Sequence, residues 1–147
     1  MASVTQKAQY ALRALFELAL RQPQGKPVAV SEIAAAQDIP PRFLHLILAD
    51  LKQAGYVAAR RGAEGGYVLS RAPKSVTVGE IIRLIDGSPD PVECLAADSR
   101  KKCGLRGRCA FIGLWERARD ALNGVYETTT LQTLVDESRV GADTYAI

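Results

Sequence analysis

Three cysteines and one histidine bound the reactive chemistry open to this chain of 147 residues. Cys94, Cys103 and Cys109 fall within 16 residues as C-x8-C-x5-C. The same stretch carries Arg100, Lys101, Lys102, Arg106 and Arg108, and no acidic residue stands from Ser99 to Cys109. Positive neighbours lower a thiol pKa and favour the thiolate, the form that binds metal and reacts. Gly104 and Gly107 let such a loop bend closely around a bound group. An odd number of cysteines leaves at least one without an intramolecular partner. With no export signal in view, a reducing cytoplasm is expected, where clustered cysteines bind metal or sense redox more often than they form bridges. A structural zinc site favours tight C-x2-C pairs and four protein ligands, and this loop has neither. Three thiolates with an open fourth position suit an exposed iron–sulfur cluster. Zinc, metal-free thiol sensing and no role at all stay open beside it.

The positioning elements follow from the apolar periods. Ala8, Ala11, Leu12, Leu15, Leu18 and Ala19 mark a helix over about 4–21. Gln22 to Pro27 is turn material, and Ser31 stands where it can cap a short helix over 32–37. Pro40 and Pro41 then open a helix over about 42–54, with Leu44, Ile47, Leu48 and Leu51 on one side and Gly55 closing it. The period changes to that of strands at 56–60 and 67–70, joined by the glycine-rich Arg61 to Gly66. Those glycines do not make a phosphate loop, because the connection runs from strand to strand rather than into a helix N-terminus.

Thr77-Val78-Gly79-Glu80 reads as a capping box opening a helix to about Ile85, and Asp86-Gly87 closes it. Residues 88–108 read as loop. From Cys109 a long stripe follows through Phe111, Leu114, Trp115, Ala118, Ala121, Leu122 and Val125. It exceeds what a small domain can cover, so it is expected to pack on a second copy; an ordinary core helix is the alternative. A short helix is expected over 131–137, followed by a fraying tail.

Charge divides the chain. Residues 1–76 hold 10 basic and 5 acidic residues, and residues 77–147 hold 9 and 11, for a net charge of +3. A basic first half points to a polyanion, nucleic acid above all, or else to a solvated basic face. A composition of 48% hydrophobic and 24% charged residues excludes a disordered chain and a collagen-like repeat. Ala8 to Leu20, the most apolar early stretch, is broken by Arg13 and Glu17, so no membrane partner is expected.

Three helices and a hairpin give the order of a winged helix-turn-helix, mainly α with a small β-hairpin. The third helix then enters the major groove with Arg42, His45, Leu46, Ala49 and Lys52 on its outer side. Arg60, Arg61 and Gly62 sit at the wing, where the arginines can reach the minor groove. A lone histidine is often a plain surface or packing residue, but His45 lies on the reading face. There it can donate to a base edge or a phosphate. No paired carboxylates and no nucleophile–base pair around His45 indicate an enzyme. An electron carrier or a pure interaction module would leave the wing arginines unexplained.

These pieces together resemble the Rrf-two (Rrf2) family of bacterial winged-helix transcriptional regulators, in particular its iron–sulfur branch. The matching stretches are Tyr10 to Leu15, Val30 to Ala34, Ile39 to Leu51 with Gly55, Arg61 to Leu69 and Val78 to Ile82. The three-cysteine loop, Leu114-Trp115 and Thr130 to Leu134 complete them, so the resemblance spans about residues 3–137. It implies a homodimer joined through the long helix, palindromic double-stranded operator DNA, and a 2Fe–2S or 4Fe–4S cluster on Cys94, Cys103 and Cys109. It also implies iron–sulfur assembly machinery as cluster donor, and iron, redox or nitric oxide as signal. A cluster-free regulator controlled by thiols or an effector is the alternative within the same fold.

The chain departs from the family pattern in two places. Some members place a histidine ligand three residues after the last cysteine, where this chain has Ile112, and others use a first-helix side chain, where it has Gln9 and Arg13. The fourth ligand is therefore left among Glu93, Asp98, a backbone group, water or a small thiol. His45 stands where many members carry a glutamate, so a donor replaces an acceptor. The expected organisation is a DNA-binding domain over 1–76, a helix and cluster loop over 77–108, a dimerisation segment over 109–138, and a flexible tail over 139–147.

Overall fold

The computed structural model describes residues 3–96 and 103–145. Six helices and one two-stranded antiparallel sheet make up the described chain. Helix α1 spans Gln6–Arg21; the Thr5 hydroxyl accepts from the Ala8 N–H at its start. Helix α2 spans Val30–Gln37 and α3 spans Pro41–Gln53, with Pro41 in the first turn where its missing N–H does no harm.

Ser31 does not cap α2. The N-cap is Ala29, and Ser31 already lies inside the helix. The cause is tertiary. Val28 exchanges both backbone hydrogen bonds with Tyr67, at 2.9 Å each, which holds the chain extended up to Ala29. The helix can begin only after that bridge.

Strands β1 (Val57–Arg60) and β2 (Gly66–Leu69) pair in register Val57↔Leu69 through Arg60↔Gly66. Gly62 adopts φ +115°, a conformation side chains rarely enter. At Gly66 a Cβ would stand 2.3 Å from the Val28 carbonyl oxygen, so the bridge to Val28 itself requires glycine.

Helix α4 (Val78–Asp86) opens with the expected capping box: Thr77 Oγ1 accepts from the Glu80 N–H, and Glu80 accepts from the Thr77 N–H. Helix α5 spans Ile112–Thr128, three residues later than the apolar stripe suggested, because Arg106 to Arg108 are spent on tight turns. Helix α6 runs Leu131–Tyr145, well past the expected end near Glu137. The Gln132 amide donates to Asp136 one turn on, which supports the helix surface.

One core holds these elements. Leu15, Ile33, Leu44 and Leu51 of the first three helices share it with Ile81 of α4 and with Leu131 and Val135 of α6. Thr77 and Thr130 form a bridge, with Val78 N–H donating to Thr129 and Leu131 N–H to Val76. The last helix thus returns to the winged-helix core rather than extending away from it. Helix α5 packs on α4 and has no buried residue.

Candidate functional site

The outer side of α3 carries the first group of side chains. Leu44, Ile47, Leu48 and Leu51 are buried, and this anchors the helix with its opposite side outward. Arg42, His45, Leu46, Ala49 and Lys52 are all exposed there. The Arg42 guanidinium lies 4.8 Å above the Phe43 ring, a cation–π contact that orients it. Phe43 was not singled out from sequence, yet it is 43% exposed and lies one turn before Leu46; that helical spacing was the available signal. Lys7 pairs with Asp50 at 2.8 Å and ties α1 to the same helix.

The hairpin carries the second group. Arg60 ends β1, and Arg61 and Gly62 follow at the exposed tip. The base of the hairpin is fixed by a network that no local pattern announced. The Tyr56 hydroxyl donates to Glu80 Oε1 at 2.6 Å, and the Arg71 guanidinium lies 4.2 Å over the Tyr56 ring and 3.5 Å from Glu80. Burial pushes the Tyr56 phenol up, helped by the neighbouring Glu80 carboxylate. Burial alone would raise Glu80. The hydrogen bonds from the Thr77 backbone, Tyr56 and the Thr77 hydroxyl, with the Arg71 charge, outweigh it and leave the carboxyl below its usual range. The end of α3, the hairpin and the start of α4 are thereby joined as one unit.

The third group is the thiols. Cys94, Cys103 and Cys109 line a single cavity of about 270 Å³ with Leu105, Arg106, Gly107, Arg108 and Ile112. None forms a disulfide. Cys94 belongs to a 3-10 turn, Glu93–Leu95, anchored by buried Leu95. Arg106 N–H donates to Cys103 and Arg108 N–H to Leu105, turning the chain back toward Cys109. The cavity therefore gathers thiols, two arginines and the first residue of α5. Among the described residues no three Cys, His, Asp or Glu side chains stand close enough together to hold a metal ion. Asp98, Arg100, Lys101 and Lys102, also drawn into the sequence reading, lie outside the described residues.

The first residues of α5 flank that cavity. Phe111 and Leu114 are exposed, Phe111 stacks with Trp115 at 6.5 Å between ring centres, and Val125 is 61% exposed. Arg83 of α4 pairs with Glu127 near the other end of α5. No helix among the described residues is long and apolar enough to cross a membrane.

Residues 4–137 match the family model Rrf2, described as an iron-dependent transcriptional regulator. An rrf2-like HTH-type transcriptional regulator of Rhodobacter capsulatus is 44% identical over 102 residues, 68% of each chain. The HTH-type transcriptional regulator CymR of Bacillus subtilis is 35% identical over 89% of this chain and 88% of its own. The solved structure of that protein, the global cysteine regulator, superposes with a TM-score of 0.75 over 93% of this chain and 98% of its own. The Escherichia coli regulator IscR is 33% identical over 93% of this chain and 82% of its own. These are transcriptional regulators, not enzymes.

Proposed function

This chain belongs to the Rrf2 family of transcriptional regulators, and from that premise we propose that it binds a palindromic operator as a homodimer, with occupancy set by an iron–sulfur cluster on Cys94, Cys103 and Cys109. The observation that carries this reading is that all three thiols line one cavity whose wall includes Ile112, the first residue of α5. Control chemistry and the helix expected to join two copies thus meet at one place.

Thiols are the ligand type an iron–sulfur cluster takes, although as they stand the three are not close enough together to hold a metal ion. Three thiols share one concavity, whose wall also includes Arg106 and Arg108. Ile112 offers no fourth ligand, so that donor comes from elsewhere. A bound cluster supplies an iron centre sensitive to iron supply, oxidation or nitric oxide. The chain's own part is mechanical. Cys94 is held by the anchored turn at Leu95, whereas Cys109 leads directly into α5. Drawing the thiols together shifts the start of α5 relative to α4. Arg42, His45, Leu46, Ala49 and Lys52 contact the major groove, and Arg60, Arg61 and Gly62 contact the backbone or minor groove. Two copies must present these faces one helical repeat apart, about 34 Å, so a small change at α5 alters specific binding. A reducing cytoplasm, with iron–sulfur assembly machinery as donor, suits this chemistry.

The test is purification without oxygen, followed by iron and sulfide analysis and a visible spectrum. A coloured protein with both elements, lost on replacing Cys94, Cys103 and Cys109 by serine, is expected. A colourless protein after reconstitution overturns the cluster. A second reading, cluster-free thiol control, is favoured by the absence of a gathered donor set among the described residues and by similarity to the cysteine regulator CymR. In that case the metal analysis is blank, yet the serine replacements still abolish the response of DNA binding to oxidant.

A further inference from the structure

We infer that Leu46 selects a pyrimidine carrying a 5-methyl group, thymine in ordinary DNA, within each half-site. The inference rests on α3 being the reading helix and names what that helix reads. Leu46 is 66% exposed, a large apolar side chain left in water on a helix that buries every other leucine it carries. Around it on the outer face stand the donors Arg42, one turn before it, His45 beside it, and Lys52 beyond Ala49, while Asp50, one turn after it, is paired with Lys7 at 2.8 Å. Phe43, also exposed, continues the apolar surface. Together with Tyr10 and Ile47 the two residues border a recess of about 310 Å³.

An apolar point set among hydrogen-bond donors has a specific match. In the major groove, only the thymine C5-methyl offers apolar surface, and it stands beside acceptors on the base edges and near phosphates. Leu46 then covers the methyl, while Arg42 and His45 donate to acceptors of adjacent bases, preferentially guanine O6 and N7. A second copy of this chain is a poor occupant for the same face, because Arg42 and Lys52 would meet their own kind of charge.

The test begins with selection of bound sites from a random duplex library by the purified full-length protein. Each thymine of the selected half-site is then replaced by deoxyuridine, which removes the methyl and nothing else. One position is expected to lose about fourfold in affinity, the value of one buried methyl, and about sixteenfold when both half-sites are changed. In Leu46→Ala, an exposed substitution, the same replacement is expected to have no effect. Equal loss in both proteins, or no loss at any thymine, overturns the assignment of Leu46 while leaving DNA recognition by α3 standing. Failure to select any duplex overturns the reading helix itself and the inference with it. A change in sedimentation on Leu46→Ala places the residue at an interface between copies and likewise refutes the inference.

Discussion

Leu131→Ala asks whether α6 belongs to the DNA-binding unit. Leu131 opens α6, far from the winged helix in sequence, yet its side chain is fully buried in the core shared with Leu15 and Leu51. Its N–H donates to the Val76 carbonyl at 3.0 Å, so the backbone is pinned and the site cannot collapse freely around a smaller residue. Truncating a leucine in such a place costs about 3 kcal/mol from lost transfer and the cavity left behind. With a urea slope of about 2 kcal/mol/M for a chain of this size, the midpoint falls by about 1.5 M. The assay is urea unfolding followed by circular dichroism and Trp115 fluorescence, at one protein concentration, because the proposed dimerisation would make stability depend on concentration. The two probes report different regions: helix content as a whole, and α5 alone. The structure requires both to move together and by the full amount. A midpoint change worth under about 0.5 kcal/mol, or a first transition that leaves the winged helix intact, refutes the shared core.

Replacing Arg61 by Ala is expected to weaken operator binding and to reduce the slope of log affinity against log salt by about 0.9 per wing, roughly two for a dimer; an unchanged slope removes the wing from the interface. Val125→Asp places a charge on a side chain that is 61% exposed, so the subunit keeps its fold while sedimentation at micromolar concentration moves from dimer to monomer. A persistent dimer locates the interface away from this face of α5. Glu80 has a carboxyl below its usual range. Its contribution to stability is therefore present above the unfolded-state value and is lost as pH falls through the folded one. Glu80→Gln should lower stability at neutral pH and flatten the acid limb of the stability profile, and parallel profiles for the two proteins would contradict the Tyr56–Glu80 linkage.

Local signals carried some elements further than others. The Thr77–Glu80 capping box could be read in four residues because both of its hydrogen bonds close within one turn. The α3 stripe was equally plain, since Leu44, Ile47, Leu48 and Leu51 repeat at helical spacing and all four are buried. Ser31 misled because capping propensity is a local preference, whereas the Val28–Tyr67 bridge that sets the start of α2 joins residues far apart. The docking of α6 was hidden for the same reason: the Thr77–Thr130 bridge leaves no mark on either segment's period. At the candidate site, spacing grouped the three cysteines, and all three line one cavity. Spacing could not show that Ile112 stands with them, or that Arg42 is propped on Phe43, because both are matters of side-chain direction.

The position of α4 decides how a change at the thiols can be felt by the reading faces. Helix α5 packs on α4, and Arg83 holds Glu127 at the end of α5 remote from the cysteines. Helix α4 in turn is fastened at both ends. Glu80 at its start binds Tyr56 and Arg71 at the foot of the hairpin, and Asp86 at its end accepts from the Thr5 backbone N–H at 2.9 Å and from the Thr5 hydroxyl. A helix held in this way cannot slide against α1 or the hairpin without breaking charged hydrogen bonds, each worth about 1.5–3 kcal/mol. Relative motion is therefore cheapest as a pivot of α5 about the Arg83–Glu127 pair, at the cysteine end of the α4–α5 contact, where α5 contributes no buried residue. On the proposed function, each head moves as a rigid body and the thiol cavity sets the angle of α5 beneath it. A difference of about 1.4 kcal/mol between two such angles is tenfold in operator affinity, less than one of the hydrogen bonds that keep the head intact can supply.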